Sequence, residues 1–198
     1  MSQPGTFDRV YAALKERLRG GGLRPGERLE PALLSLDLNA SVTPVRDALH
    51  RLTGERLVEA PRHEGFRVPL LTETMLRHLY AWHLDLLLLA IARRRAGEGG
   101  GGEAAAAVPE RLDAAFAQLA AASGNPEIAA TLRNLTDRLE PYQRVEREFL
   151  DAVELESEQI LRAIEARDGK RLRASLVHYH RRRQRIVPEI LARLHERG

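Results

Sequence analysis

Residues 41–52 read Ser41-Val42-Thr43-Pro44-Val45-Arg46-Asp47-Ala48-Leu49-His50-Arg51-Leu52, a helix that carries its own start signal. Ser41 is a natural N-cap, and Thr43 and Pro44 sit at the helix entrance, where a missing N–H costs nothing. Val45, Ala48, Leu49 and Leu52 recur at helical spacing and form one apolar stripe. Arg46, His50 and Arg51 are left on other faces. A short helix with polar and basic residues near its N-terminus is what a DNA major groove accepts. The plainer reading, a structural helix, must be weighed against what flanks it.

Upstream, Val10, Tyr11, Leu14 and Leu18 mark an amphipathic helix that stops at Gly20-Gly21-Gly22. Leu23-Arg24-Pro25-Gly26-Glu27-Arg28-Leu29 places Pro and Gly as in a tight turn. A short helix runs through Leu33, Leu34 and Leu36, and Asp37 to Ala40 make the turn into the helix at 41–52. Downstream, Leu57 to Ala60 predicts a short strand, Pro61 to Gly65 a turn and Phe66 to Val68 a returning strand. That hairpin reads as a wing, whose Arg62 and Arg67 can reach phosphates or the minor groove.

These residues together resemble the winged helix-turn-helix domain of GntR-type bacterial transcription regulators, over residues 7–68. The resemblance rests on Leu23-x-Pro25-Gly26-x-x-Leu29, on Ser41-x-Thr43-Pro44-Val45-Arg46-x-Ala48-Leu49-x-Arg51-Leu52 and on Gly65-Phe66-x-Val68. It implies that Ser41, Thr43 and Arg46 meet the groove or adjacent phosphates, and that Gly65 lets the wing tip approach the backbone; His50, on the same helix, is a further candidate DNA contact. Two positions that are basic in the family are Ala32 and Val42 here. Val42 is expected to touch a thymine methyl instead.

The remainder is similar to the all-helical FCD effector domain of the FadR-like branch, through Asp113-x-x-Phe116, Ser123-Gly124-Asn125-Pro126 and a closing pair of helices around Asp168. Many such domains hold a divalent metal through an Asp and three His, and the metal helps grip an organic acid. Asp113 matches the Asp. The other positions read Ala117, Ser157 of the pair Glu156-Ser157, and Tyr179, or His180 if the register slips by one. First-row metals generally take three or more protein ligands, so the expectation is no family-type metal, with Asp113 and His180 the weak candidate ligands.

The domains are expected at 1–69 and 70–198, usual sizes for 198 residues. There is no cysteine, hence no disulfide or thiolate metal site. The N-terminus lacks a signal-type apolar segment, and the longest apolar run, Leu84 to Ala92, contains Asp85 and falls far short of the ~20 residues of a span. A soluble, cytoplasmic protein is expected. Net charge is +3, distributed as +2 over residues 1–69, −6 over 70–169 and +7 over 170–198. The weakly basic first domain predicts modest binding as a monomer and a homodimer on two half-sites of a palindromic operator.

Beyond Pro69 the chain predicts an antiparallel helical bundle, with helices at about 72–96 and 103–122, a third opened by Asn125-Pro126 and interrupted or kinked at Pro141, and two more at 145–167 and 170–196. Thr72 is the first cap, the Gly97–Gly102 tract a loop, Gly169 a separator, and Pro188 a bend. On the last helix Leu172, Leu176, Tyr179, Arg183, Ile186 and Ile190 follow 4-3-4-3-4 spacing, with His180 and Val187 at the border. Arg183 is thus a cation on a face that should be buried, and it needs a partner: an internal Glu or Asp, or the carboxylate of a ligand. Arg183, with Tyr179, His180, Tyr142 and Arg144, is the candidate site for an anionic metabolite held without metal. The other arginines of the run, Arg181, Arg182 and Arg185, read as solvated or paired to the acidic middle segment. His78, Trp82 and His83 read as packing or interface residues.

Three function classes follow. One is a DNA-binding regulator responsive to a small carboxylate; the second is a regulator whose bundle only dimerises and has lost effector and metal. The third, an enzyme, lacks any nucleophile–base pair, phosphate loop or His-Glu-x-x-His motif.

Overall fold

The computed structural model describes residues 5–94 and 108–196, so the predicted Gly97–Gly102 loop and the adjoining helix ends lie outside the described residues. The chain divides into two compact units: the first reaches Leu71 and takes in the chain from Leu194, and the second is Thr72–Arg193.

In the first unit the order is α1 (Thr6–Arg19), β1 (Arg28–Leu29), α2 (Pro31–Asp37), α3 (Val42–Gly54) and β2 (Phe66–Arg67). Val10, Leu14 and Leu18 of α1 face Val45, Ala48, Leu49 and Leu52 of α3 in one core, which Leu57, Val58 and Phe66 extend. The two helices are also joined at the core's edge. Tyr11 Oη donates to Glu55 Oε1 at 2.6 Å, and Lys15 Nζ lies 3.0 Å from Glu55 Oε2. Burial pulls the Glu55 carboxyl up, but the Tyr11 and Lys15 hydrogen bonds outweigh it and the net shift is down. Of the leucines predicted for α2, only Leu34 turns inward; Leu33 and Leu36 are exposed.

The expected strand at Leu57 to Ala60 is reduced to one bridging residue, Glu59, which exchanges both backbone hydrogen bonds with Arg67 at 2.8 and 2.9 Å. The longer pairing lies on the other side of β2. There Arg28 and Leu29 oppose Arg67 and Phe66, so the predicted turn at 23–29 ends in a strand. A two-residue strand has no periodicity for sequence reading to detect. Gly26, at φ +81°, turns the chain into this pairing, and its N–H donates to Val68 O at 3.0 Å.

The second unit comprises α4 (Glu73–Arg93), α5 (Val108–Ala121), α6 (Pro126–Glu146), α7 (Val153–Glu165), α8 (Gly169–Arg185) and α9 (Val187–Glu196), the last running beyond it. Polar caps start three of these. Thr72 Oγ1 accepts from Met75 N–H, Asn125 Oδ1 from Glu127 N–H and Asp168 Oδ1 from Arg171 N–H. Gly169 is therefore the first residue of α8 and not a separator. Pro141 sits inside α6, which continues to Glu146, so α7 begins at Val153 and not near 145. Pro188 divides the last predicted helix in two. Lacking an N–H, it frees the Gln184 carbonyl, to which Arg77 Nε donates at 3.4 Å. The phase shifts at this break: Ile186 becomes half-buried, and Val187 and Ile190 carry the core. Helix α4 packs on α5, α6 and α8, while α7 packs on α5 and α8.

Leu49 is fully buried between α1 and α3. Leu49→Ala is expected to destabilise the first unit by about 2–5 kcal/mol, through lost transfer energy and the cavity left behind. Urea unfolding followed by circular dichroism measures this, and a loss under 1 kcal/mol would contradict the core assignment.

Candidate functional site

Helix α3 separates two faces. Val45, Ala48, Leu49 and Leu52 are wholly buried, while Ser41, Val42, Thr43 and Arg46 are exposed on its N-terminal turns. Ser41 occupies the N-cap with extended backbone, yet its side chain makes no cap hydrogen bond, so its hydroxyl is not committed to the helix. Arg46 has no ion-pair partner among the described residues. Two further polar side chains of α3 are otherwise engaged. Arg51 lies 4.2 Å over the Tyr11 ring, on the α1 side, and His50 packs edge-on against Phe66 of β2 at 4.9 Å. His50 thus ties α3 to the wing more than it offers itself to a groove.

The wing turn places Arg62, His63, Glu64 and Gly65 in solvent. Gly65 has φ +77°, a conformation that L side chains rarely adopt, whereas a Cβ there would meet nothing closer than 4.0 Å. Its requirement is conformational. Arg62 has no partner among the described residues, but Arg67 is engaged by Glu59 at 2.9 Å and Glu64 at 3.4 Å. Exposed pairs of this kind are weak, of order 0–1 kcal/mol, so a phosphate can displace them. Sequence reading missed Arg28, which opposes Arg67 across the β1–β2 pair and approaches Gly65. The signal for it is invisible without the strand pairing.

The second site is a cavity of about 400 Å³ in the bundle, with Asp113, Glu140, Glu146, Arg144, Arg147 and Arg183 among its lining residues. Leu112, Val153, Ser157 and Tyr179 also line it. Of the five predicted ligand contacts, Arg144, Tyr179 and Arg183 converge here; Tyr142 and His180 are absent from its walls. Tyr142 is buried in α6 instead. Of the neighbouring pair, Tyr179 faces the cavity and His180 turns to the core.

Arg183 is 1% exposed and already neutralised from inside. Its Nη1 donates to Glu156 Oε2 at 2.8 Å and to Tyr179 O at 3.0 Å. Its Nε lies 2.9 Å from Glu146 Oε2, although the N–H points off that oxygen and the contact is ionic rather than a formed hydrogen bond. The guanidinium carbon stands 3.2 Å over the Tyr179 ring. Tyr80 Oη donates to Glu146 Oε1. Burial alone would lower the Arg183 pKa, but Tyr179, Glu146 and Glu156 raise it further, so the group is a permanent cation. Burial pushes the Glu146 carboxyl up against the pull of Arg183 and Tyr80. Of the two partners that the sequence left open for Arg183, the internal one is in place. Arg144 is likewise paired, with Glu140 at 3.1 Å, whereas Arg147 is exposed with no carboxylate partner among the described residues.

The donors do not fit a first-row metal. Asp113 shares the cavity with a serine and a tyrosine, and no group of three His, Cys, Asp or Glu is poised to hold a metal among the described residues. His180 is committed elsewhere. Its Nδ1 lies 2.7 Å from Leu176 O, which can only accept, so Nδ1 carries the proton and Nε2 accepts from His83 Nδ1–H at 2.9 Å. Burial holds the His83 pKa down to about 4 and that of His180 well below its usual value. Both rings are neutral packing groups. For His83 the sequence expectation of packing is met; for His180 a ligand role gives way to the same one.

The described geometry agrees with comparison to known proteins. Residues 6–68 match the family described as bacterial regulatory proteins, gntR family, and residues 69–182 match the FCD domain. The chain is similar to the HTH-type transcriptional repressor GlaR of Escherichia coli (strain K12), 34% identical over 70 residues, 35% of this chain and 32% of that protein. It is similar to the HTH-type transcriptional regulator McbR of the same strain, 35% identical over 79 residues, 40% of this chain and 36% of that protein. The matched stretch thus spans about a third of each curated relative's length. Among solved structures, a putative transcriptional regulator GntR from Rhodococcus sp. RHA1 has a TM-score of 0.75 at 19% identity, covering 94% of this chain and 99% of that one. E. coli McbR/YncC has a TM-score of 0.66 at 22% identity, with the same coverage. At these identities the likeness is one of fold.

Arg183→Met leaves Glu146 and Glu156 buried without their cation and is expected to cost about 3–5 kcal/mol in urea unfolding; an unchanged midpoint would contradict the buried network. The unfolded chain takes up a proton on His83 near pH 6.5 that the folded chain refuses until about 4. Stability from this group is therefore full above pH 6.5 and lost as pH falls through that window, by about 3 kcal/mol. Denaturation from pH 7.5 to 4.5 should show a shallower slope in His83→Gln than in the wild type; equal slopes would mean that His83 is charged or exposed.

Proposed function

Because the chain belongs to the GntR family of bacterial regulatory proteins and carries an FCD domain as its second part, we propose that it is a cytoplasmic transcription regulator. In this reading it binds a palindromic operator as a homodimer, and a small anionic metabolite in the bundle cavity modulates that binding. The observation that carries the DNA half is the division of α3, whose apolar stripe is wholly buried while Ser41, Val42, Thr43 and Arg46 stand uncommitted on its N-terminal turns. Arg62, Gly65 and Arg67 of the wing, joined by Arg28, flank the same interface and supply phosphate contacts. His50 acts by fixing the angle between α3 and the wing.

The effector half is supported by a cavity of metabolite size with Arg144, Arg147, Arg183 and Tyr179 in its walls. Arg147 is the group best placed to take a carboxylate, since Arg183 is held by Glu146 and Glu156. That same neutralisation favours a second reading, in which the bundle only dimerises and has no effector.

Selection from a randomised duplex pool is expected to enrich a two-fold symmetric site, and failure to enrich any sequence would overturn the DNA-binding reading. On the selected duplex, Arg46→Ala should weaken binding by about 5- to 100-fold in fluorescence anisotropy, the range of one good side-chain contact to a base. A thermal-shift screen of small organic acids, repeated with chelator, decides between the two readings. A rise in midpoint that survives chelation and is lost in Arg147→Ala supports the sensor. No response to any acid supports the bundle as a dimerisation module.

A further inference from the structure

Charges of both signs line the bundle cavity. Asp113 of α5 and Glu140 and Glu146 of α6 share its walls with Arg144, Arg147 and Arg183. Glu156 is met by Arg183 at 2.8 Å and by Arg182 at 3.4 Å. The walls and their backing are therefore charge-balanced. Within them Arg183 stands 2.9 Å from Glu146, and Arg144 stands 3.1 Å from Glu140. Arg147, just past the end of α6, is exposed with no carboxylate partner among the described residues. Asp113 lies half-buried on a different helix, near Tyr179. Burial pushes the Tyr179 hydroxyl up; Arg183 pulls against this, and the negative charges of Glu146 and Asp113 add to it. That hydroxyl stays protonated, and it has no hydrogen-bond partner among the described residues.

We infer that the ligand of this cavity is a zwitterion, with a carboxylate and a protonated amine on one short skeleton, as in an amino acid. The ligand carboxylate goes to Arg147, whose guanidinium fork matches it. The ammonium goes to Asp113, whose two oxygens offer about four acceptor positions and can take it alongside other contacts. Ser157 Oγ, also in the wall, spends its proton on Val153 O at 2.8 Å, so towards the cavity it can only accept. A balanced site selects a balanced ligand. A simple acid brings uncompensated negative charge against Asp113, Glu140 and Glu146, and like charges so placed cost affinity. A zwitterion keeps the site neutral and makes a charge-assisted hydrogen bond at each end. About 400 Å³ is ample room for a skeleton of that size.

The inference refines the effector half of the proposed function and rests on it. Isothermal titration calorimetry on the full chain compares three pairs of matched skeleton: L-alanine with L-lactate, L-aspartate with L-malate, and L-glutamate with L-2-hydroxyglutarate. In at least one pair the amino acid is expected to bind about 10-fold or more tightly than its hydroxy acid, the worth of one hydrogen bond between charged groups. Asp113→Asn keeps the shape without the charge and should level that pair, whereas Arg147→Ala should abolish binding of both members. Both variants should keep the far-UV circular dichroism of the wild type. Hydroxy acids that bind as tightly as their amino acids overturn the zwitterion and leave an acid-responsive regulator standing. A preference that survives Asp113→Asn overturns the seat of the ammonium. No binding by any of these compounds overturns this inference and the effector reading together.

Discussion

One guanidinium organises the bundle. Arg183, on α8, is closed off from water and must find its counter-charges inside the protein. It takes Glu146 from α6 and Glu156 from α7, while Tyr80 of α4 donates to Glu146 and Tyr179 lies beneath the cation. Four helices therefore meet at one charge. Desolvating such a group is expensive, and only good geometry with several partners offsets the cost, so the arrangement contributes more to which helices meet, and in what register, than to net stability. Helix α8 cannot slide by one residue without taking Arg183 off both carboxylates.

That register also sorts the polar residues of α8 by task. Tyr179 and Arg183 form part of the cavity wall, and His180, one position on, points to His83 and the apolar centre. A neighbouring pair of aromatic residues thus has one member at a solvent-accessible site and the other in a dry core, where only the neutral imidazole is tolerated. The Leu176 carbonyl chooses the tautomer of His180, which in turn makes His83 the donor between them. Arg182, on the flank, meets Glu156 Oε1 at 3.4 Å and donates to the Asp151 carbonyl at 2.8 Å. The basic end of the chain is in this way partly matched to the acidic middle segment.

In the first unit the governing constraint is apolar. The α3 stripe is so fully committed to α1 that the exposed side of its first turns has nothing left to do structurally. Polar edge contacts then fix orientation. Glu55 clasps Tyr11 and Lys15, Arg51 covers Tyr11, and His50 leans on Phe66. The strand pairing adds Arg28, itself 2.6 Å from Glu30, beside a wing whose Arg67 is held by two glutamates, so the cations that face outward without a carboxylate are fewer than a simple count of arginines.

By itself the sequence determined whatever depends on local periodicity and backbone chemistry. The α3 stripe, the N-caps at Ser41, Thr72 and Asn125 and the turn at Pro25-Gly26 were all legible, because each is specified within a few neighbouring residues, whereas at Pro188 only a bend was expected where the helix divides. The burial of Arg183 was legible too, since it lies on an apolar stripe. Its partners were not. Glu146 and Glu156 are 37 and 27 residues away in a chain rich in acidic side chains, and no spacing rule selects them. The same holds for the pairing of Arg28 with Arg67 and of His83 with His180, and for the choice between Tyr179 and His180 at the cavity. Charge, hydrogen bonding and strand pairing over long sequence separations are settled only when packing brings the elements together.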